Sequence, residues 1–291
     1  MIKGSIVDLV TPTHADGAPD FETLETLVDW HVDEGSAALV IGGCPDPAAK
    51  LDIEERTELF RRAVWQADGR IAIVADIGGA TTADALEAAL AADEAGADAV
   101  LAVAPVAASP SPEDLLRHFQ AIAEAGKRPL LVRDSVNRPN LLSSAIVTRL
   151  ARMDGIVGFV ERGVNADAAR ELLAIGLPEG FALYAGADVH ACKLLSDGFA
   201  GVVSVTANVA PASVRKMCAA ALAGDRDQAA TVDADLQPLD QALIASDLVA
   251  AVKWALIEIG RIEEGPHPPT LPQASDYSNL RRALRAVHVL D

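Results

Sequence analysis

Short apolar runs alternate with helix-length amphipathic segments along most of this chain, and this alternation limits the folds open to it. Near-continuous hydrophobicity is typical of strands covered on both faces, as in parallel sheets. Eight strand–helix units over roughly 220 residues predict a (β/α)8 TIM barrel, with an open doubly wound sheet as the alternative. The eight predicted strands are SIVDLVTP, AALVIGG, RIAIVADIGG, DAVLAVAP, RPLLVRD, GIVGFVE, FALYAG and GVVSVTAN.

Polar residues and glycines mark the ends of the predicted helices. Asp20, Asp52 and Ser111 each precede an amphipathic segment, where a side-chain oxygen can accept from the free N–H groups of the first turn. After the eighth strand the pattern is helical and has no further strand signal. The sequence therefore predicts a barrel over residues 1–223 and a C-terminal helical region over residues 224–291.

The charge balance favours small-molecule partners. With 42 Asp and Glu against 24 Lys and Arg, the net charge of −18 repels nucleic acid and anionic membrane surfaces. No apolar stretch is long enough for a membrane span, and three widely spaced cysteines fit neither a disulfide framework nor a metal motif. We expect a soluble cytoplasmic protein without a cofactor.

Several stretches resemble the family of dihydrodipicolinate synthase and N-acetylneuraminate lyase. They are GSIVDLVTP, LVDWHVDEG, HFQAIAE, GVVSVTANVAP and VKWALIEIG, and the resemblance covers essentially the whole chain. It implies a barrel with a C-terminal helical extension, commonly a homotetramer built from dimers. It also implies a lyase in which a lysine at the end of strand six forms an imine with pyruvate or another 2-oxo acid.

The positions that carry this chemistry in the family differ here. Val160 stands at the lysine position, and an isopropyl group cannot form an imine. Gly43 of the turn after strand two is kept, but Cys44 follows it where the family has threonine. Arg133 replaces a tyrosine, while Arg138 matches the arginine that holds substrate carboxylate. We expect the imine activity to be lost and the pocket to bind or convert a small carboxylate or oxo acid by another mechanism.

Two alternatives stay open, namely a non-catalytic carboxylate-binding sensor or scaffold and a metal-assisted lyase or hydratase. The candidate catalytic residues are Glu161 and Asp134, and no metal ligand set is assigned. Arg133 either binds an anion or pairs internally with Asp8 or Glu161. The predicted ligand is a small anionic molecule, and the predicted substrate-binding residues are Arg138, Arg133, Gly43, Cys44, Asp8, Gly186 and Ser204.

Overall fold

A computed structural model describes residues 1–14, 16–43, 51–105, 110–134, 141–162, 166–263 and 277–290. Eight parallel strands pair in sequence order and close through β1 and β8 into one barrel. The predicted TIM barrel is confirmed. The strands are β1 (Gly4–Asp8), β2 (Ala38–Ile41), β3 (Ala72–Asp76), β4 (Ala99–Val103), β5 (Leu130–Arg133), β6 (Ile156–Glu161), β7 (Ala182–Ala185) and β8 (Gly201–Ser204).

A helix follows each strand, and three more helices complete the described chain. The barrel helices are α1 (Phe21–Asp33), α2 (Ile53–Ala67), α3 (Thr82–Ala95), α4 (Pro112–Ala125), α5 (Ser144–Leu150), α6 (Ala166–Ala174), α7 (Asp188–Asp197) and α8 (Pro211–Leu222). The others are α9 (Arg226–Ile244), α10 (Leu248–Glu258) and α11 (Ser278–Ala286). The predicted boundary after residue 223 falls between α8 and α9.

The predicted helix starts are confirmed, and local side-chain chemistry explains them. Asp20 caps α1 by accepting from the backbone N–H of Thr23. Asp52 and Ser111 form reciprocal capping boxes at α2 and α4. Each box satisfies two backbone N–H groups that the first helical turn leaves unpaired, so these helices begin where their sequences specify.

The barrel interior is built in layers from alternate strands, as expected for this fold. Ile6, Val74, Leu131 and Tyr184 come from the odd-numbered strands and belong to one buried apolar cluster. Val160, from an even-numbered strand, belongs to the same cluster and is fully buried. Because side chains on a strand alternate between its two faces, the next interior positions on β1, β3 and β5 are two residues further along.

The C-terminal helices cover one side of the barrel. A 3-10 turn (Thr206–Asn208) follows β8, and residues of α9 and α10 pack against it. The rings of Trp254 and Tyr277 stack with centroids 4.4 Å apart. None of the helices in the described ranges has the length and apolar character needed to cross a membrane.

Candidate active site at the carboxyl end of the barrel

An ion network fills the interior layer at the carboxyl end of the odd-numbered strands. Asp8, Asp76 and Arg133 each lie two residues beyond an interior apolar residue, so all three side chains point to the barrel axis. Nη1 of Arg133 donates to Oδ2 of Asp8 at 2.9 Å, and its Nη2 donates to Oδ2 of Asp76 at 2.5 Å. The three side chains are between 3% and 6% exposed, so water screens these contacts weakly.

The network also holds the turn that follows β2. Nη2 of Arg133 donates to the carbonyl of Gly43 at 3.3 Å. A Cβ atom at Gly43 would lie 2.8 Å from Oδ1 of Asp8 and 2.9 Å from Oδ2 of Asp76. Position 43 therefore has no room for a side chain while the two carboxylates stay in place.

Burial controls the protonation of this layer. Removal from water raises the pKa of Asp76 above its usual value, and the Arg133 guanidinium and the N–H of Gly78 counteract only part of that rise. The Gly78 N–H donates to Oδ1 of Asp76 at 2.8 Å. Asp76 was not among the predicted site residues, although its place two residues after Val74 on a strand was the signal that could have identified it.

Glu161 and Asp134 lie at the same end of the barrel. Both are buried, Glu161 at the end of β6 and Asp134 directly after β5. The backbone N–H of Asp134 donates to the carbonyl of Val160 at 3.2 Å, and that of Gly186 donates to the carbonyl of Glu161 at 2.7 Å. Their catalytic roles remain predictions, as do the substrate-binding roles of Cys44 and Arg138, which lie outside the described residues.

A second buried carboxyl pair lies beside the ends of β7 and β8. Oδ2 of Asp188 accepts from the backbone N–H groups of Val205 and Thr206 at 3.0 and 3.1 Å. The Thr206 hydroxyl donates to Oδ1 of Asp240 at 2.5 Å. Burial and the Asp188 charge together raise the pKa of Asp240 to about 8. Burial raises the pKa of Asp188 as well, although the N–H groups of Val205 and Thr206 counteract part of that rise, so we assign the proton that this pair holds to Asp240.

A cavity of about 150 Å³ opens next to this pair. Gly186 contributes to its wall, and a Cβ atom there would lie 3.0 Å from Cγ1 of Val160. Gly186 thus separates the cavity from Val160, the position at which the family resemblance places the chemistry. Apolar residues of the C-terminal helices, Leu243, Ile244 and Leu248, line its other side. Ser204, another predicted site residue, is fully buried beneath it, with its hydroxyl accepting from the N–H of Ala207.

The matches to known proteins decide the family. The model of the dihydrodipicolinate synthetase family matches residues 1–287. The chain belongs to this family. It is 42% identical to the 4-hydroxy-tetrahydrodipicolinate synthase of Methylococcus capsulatus, over all of both chains. It is 41% identical to the synthase of that name from Azoarcus sp., over 95% of each chain.

Solved structures of the dihydrodipicolinate synthetase family agree over the whole fold. The dihydrodipicolinate synthase of Acinetobacter baumannii, solved in complex with pyruvate, superposes with a TM-score of 0.94 at 36% identity and covers all of both chains. The synthase of Aquifex aeolicus superposes with a TM-score of 0.91 at 31% identity, over 97% of each chain. The family assignment thus rests on sequence and on fold together.

These matches correct the functional expectation. We expected loss of synthase activity from the changes at Val160, Cys44 and Arg133, but relatives about 40% identical over the full chain carry the synthase name. They support an active lyase, so the expectation of lost activity was wrong, and with it the sensor, scaffold and metal-assisted alternatives. In physical terms, a few changed site residues were given more weight than the shared sequence of the complete barrel.

The lysines and acidic groups of the described ranges add two observations. Among the lysines there, Lys253 is buried, on α10, and donates to the Thr13 hydroxyl at 3.1 Å, whereas the others are exposed. Lys50 lies outside the described residues. Within the same ranges no set of three or more His, Cys, Asp or Glu side chains is arranged to hold a metal ion.

The carboxyl of Asp240 predicts a pH dependence of stability. Its folded-state pKa of about 8 lies above the value of about 4 for an unfolded aspartate, so the folded protein binds this proton more tightly. The contribution of this proton to the free energy of unfolding is fully present below pH 4. That contribution is lost as the pH rises to 8, by at most about 1.4 kcal/mol per pH unit. The Asp240→Asn variant keeps an acceptor for the Thr206 hydroxyl but cannot ionise. We expect it to lose this decrease of the unfolding free energy with pH, which is measured by urea unfolding between pH 5 and pH 8.5.

Asp227→Asn, in the exposed first turn of the same helix, serves as the matched control. The Asp227→Asn variant should show the same decrease of the unfolding free energy with pH as the wild-type protein. Equal slopes for the wild type and Asp240→Asn would show that Asp240 is ionised in the folded protein at neutral pH.

Proposed function

We propose that this chain is a carbon–carbon lyase of the 4-hydroxy-tetrahydrodipicolinate synthase type, with pyruvate as one substrate. The observation that carries the proposal is the full-length similarity to relatives with that name, together with the fold shared with a synthase that binds pyruvate. The reaction would take place at the carboxyl end of the barrel, where active sites of this fold lie.

The described residues support this location in two ways. The ion network of Asp8, Asp76 and Arg133 forms a rigid polar layer at the centre of that end. The cavity beside Gly186 lies after the ends of β7 and β8 and is lined by apolar residues, by the carboxyl groups of Asp188 and Asp240, and by Arg162. We place the electrophilic partner of pyruvate in this cavity, because a small aldehyde with a polar end matches that lining.

The activity is tested by incubating the purified protein with pyruvate and the amino-acid aldehyde whose carbons complete the product, and detecting 4-hydroxy-tetrahydrodipicolinate by mass spectrometry. We expect product formation that requires both substrates. Absence of product at high enzyme concentration would contradict the proposal. Borohydride reduction in the presence of pyruvate, followed by peptide mapping, then assigns the mechanism: a modified lysine identifies an imine and its residue, whereas turnover with unchanged protein mass shows carbonyl activation without one.

The cavity assignment predicts a selective effect of Ile244→Trp. Ile244 lies at the end of α9, lines the cavity and is 57% exposed, so a larger ring narrows the cavity without disturbing the core. We expect KM for the aldehyde to rise about tenfold, a typical effect of altering one pocket contact, with KM for pyruvate unchanged. Leu90→Trp on α3, at a side chain 54% exposed and outside the cavity lining, is the control. Equal effects of both variants would remove the assignment.

We also propose that the protein acts as a homo-oligomer, a dimer or a tetramer, in a reducing compartment such as the cytoplasm. Cys192 and Cys218 are both free thiols, which is compatible with that compartment. One family structure, with a TM-score of 0.92 at 28% identity, is described as the first monomeric dihydrodipicolinate synthase variant. Multi-angle light scattering at micromolar concentration should give a mass of two or four chains, and a monomer mass would refute this.

A further inference from the structure

The ion network is not balanced in charge. Asp8 and Asp76 contribute two carboxylates, and the guanidinium of Arg133 contributes one positive charge between them. If both carboxylates are ionised, the layer carries one net negative charge inside the barrel. Two like charges in a weakly screened site disfavour each other's ionisation, and removal from water disfavours both.

One oxygen of the network also lacks a donor. Oδ1 of Asp8 is buried and has no hydrogen-bond partner among the described residues, whereas Oδ2 accepts from Arg133. A buried carboxylate oxygen without a donor is strongly unfavourable. Protonation of the carboxyl removes the cost of burying its charge, which is the larger part of that penalty for an ionised group.

The two carboxyl groups face the same turn. Oδ1 of Asp8 and Oδ2 of Asp76 both lie within 3 Å of the point where Gly43 would carry a Cβ atom, at 2.8 and 2.9 Å. In each carboxyl group, this oxygen is the one that points to the turn after β2. Because Gly43 has no side chain, both oxygens fit next to this turn.

The charged groups that face Asp76 come from three elements. They are Arg133 of β5, Asp8 of β1 and Arg56 of α2. The Arg56 guanidinium donates to the carbonyl of Gly78 at 2.9 Å, so it acts on Asp76 across that turn and not by direct pairing. Direct neutralisation within the layer therefore comes from Arg133 alone among the described side chains.

We propose that Asp8 and Asp76 hold one proton between them at neutral pH, and that this proton lets the barrel centre accept a monoanionic 2-oxo acid. The first half concerns the protein alone. The second half rests on the proposed function, because it concerns pyruvate. A pair that keeps its proton carries no net charge with Arg133, so an arriving carboxylate meets a neutral layer. Deprotonation would place a negative charge beneath that carboxylate and weaken its binding.

The proton is tested directly by NMR of protein with 13C-labelled aspartate carboxyl groups, titrated without ligand. Ordinary aspartates titrate near pH 4. We expect one resonance that titrates near or above neutral pH and disappears in Asp76→Asn, and a separate one that disappears in Asp240→Asn. Asp8→Asn is the second variant, in case Asp76→Asn does not fold, and it should lower the titration midpoint of Asp76 because it removes a neighbouring negative charge. If the Asp8 and Asp76 resonances both titrate below pH 5, no proton is held and the proposal is overturned.

The use of the proton is tested by the pH dependence of KM for pyruvate. We expect KM to rise by up to tenfold per pH unit above the titration midpoint of the pair, and to lose this dependence in Asp76→Asn. The control is Asp98→Asn, at an exposed carboxylate that accepts from the N–H of Ile73 at the opposite end of the barrel, and it should keep the wild-type profile.

The outcomes separate the two proposals. A wild-type pH profile in Asp76→Asn would show that the proton is not used in binding, while the synthase function would stand. Titration near neutral pH in a protein that forms no product would contradict the proposed function and leave the proton-holding pair established.

Discussion

The pairing of one guanidinium with two carboxylates inside the barrel is the interaction on which the carboxyl end of this protein depends. Arg133 spans the interior from β5 to Asp8 on β1 and Asp76 on β3, and it also holds the carbonyl of Gly43. Removal of Arg133 from this buried network would leave two carboxyl groups without their guanidinium partner, which is strongly destabilising. The three strands and the turn after β2 are therefore fixed relative to one another by electrostatics as well as by backbone pairing.

This arrangement gives the catalytic end of the barrel an unusual interior. Below it, layers of aliphatic residues and Tyr184 form an ordinary packed core. At the end of β6, Val160 continues that core where the family resemblance places an amine-bearing side chain. Buried ionisable groups at this end therefore include the network on the odd-numbered strands, Glu161 and Asp134 at the ends of β6 and β5, and the Asp188–Asp240 pair next to the cavity. In the proposed reaction, the ion network forms the floor of the site.

Much of the fold was predictable because its causes are local. The capping boxes at Asp52 and Ser111 specify helix starts from residues three apart, and the apolar runs specify strands that are buried on both faces. The site was predicted less completely. Asp8 and Arg133 were identified as strand-end residues, and their pairing was one of two interpretations, but Asp76 and Asp240 were missed. The functional inference failed for a different reason, since changes at a few site positions, Val160 above all, were given more weight than the resemblance that covers the whole chain.

The sequence by itself determined the order of strands and helices, the closure of eight βα units into a barrel, and the identity of the charged residues that follow the strands. Those features depend on periodicity and on contacts between residues a few positions apart. Only the tertiary structure decided which charges meet. Arg133 is 125 residues from Asp8 and 57 from Asp76, and Thr206 is 34 from Asp240. No local pattern encodes such separations, because barrel closure and strand register set the distances between these side chains.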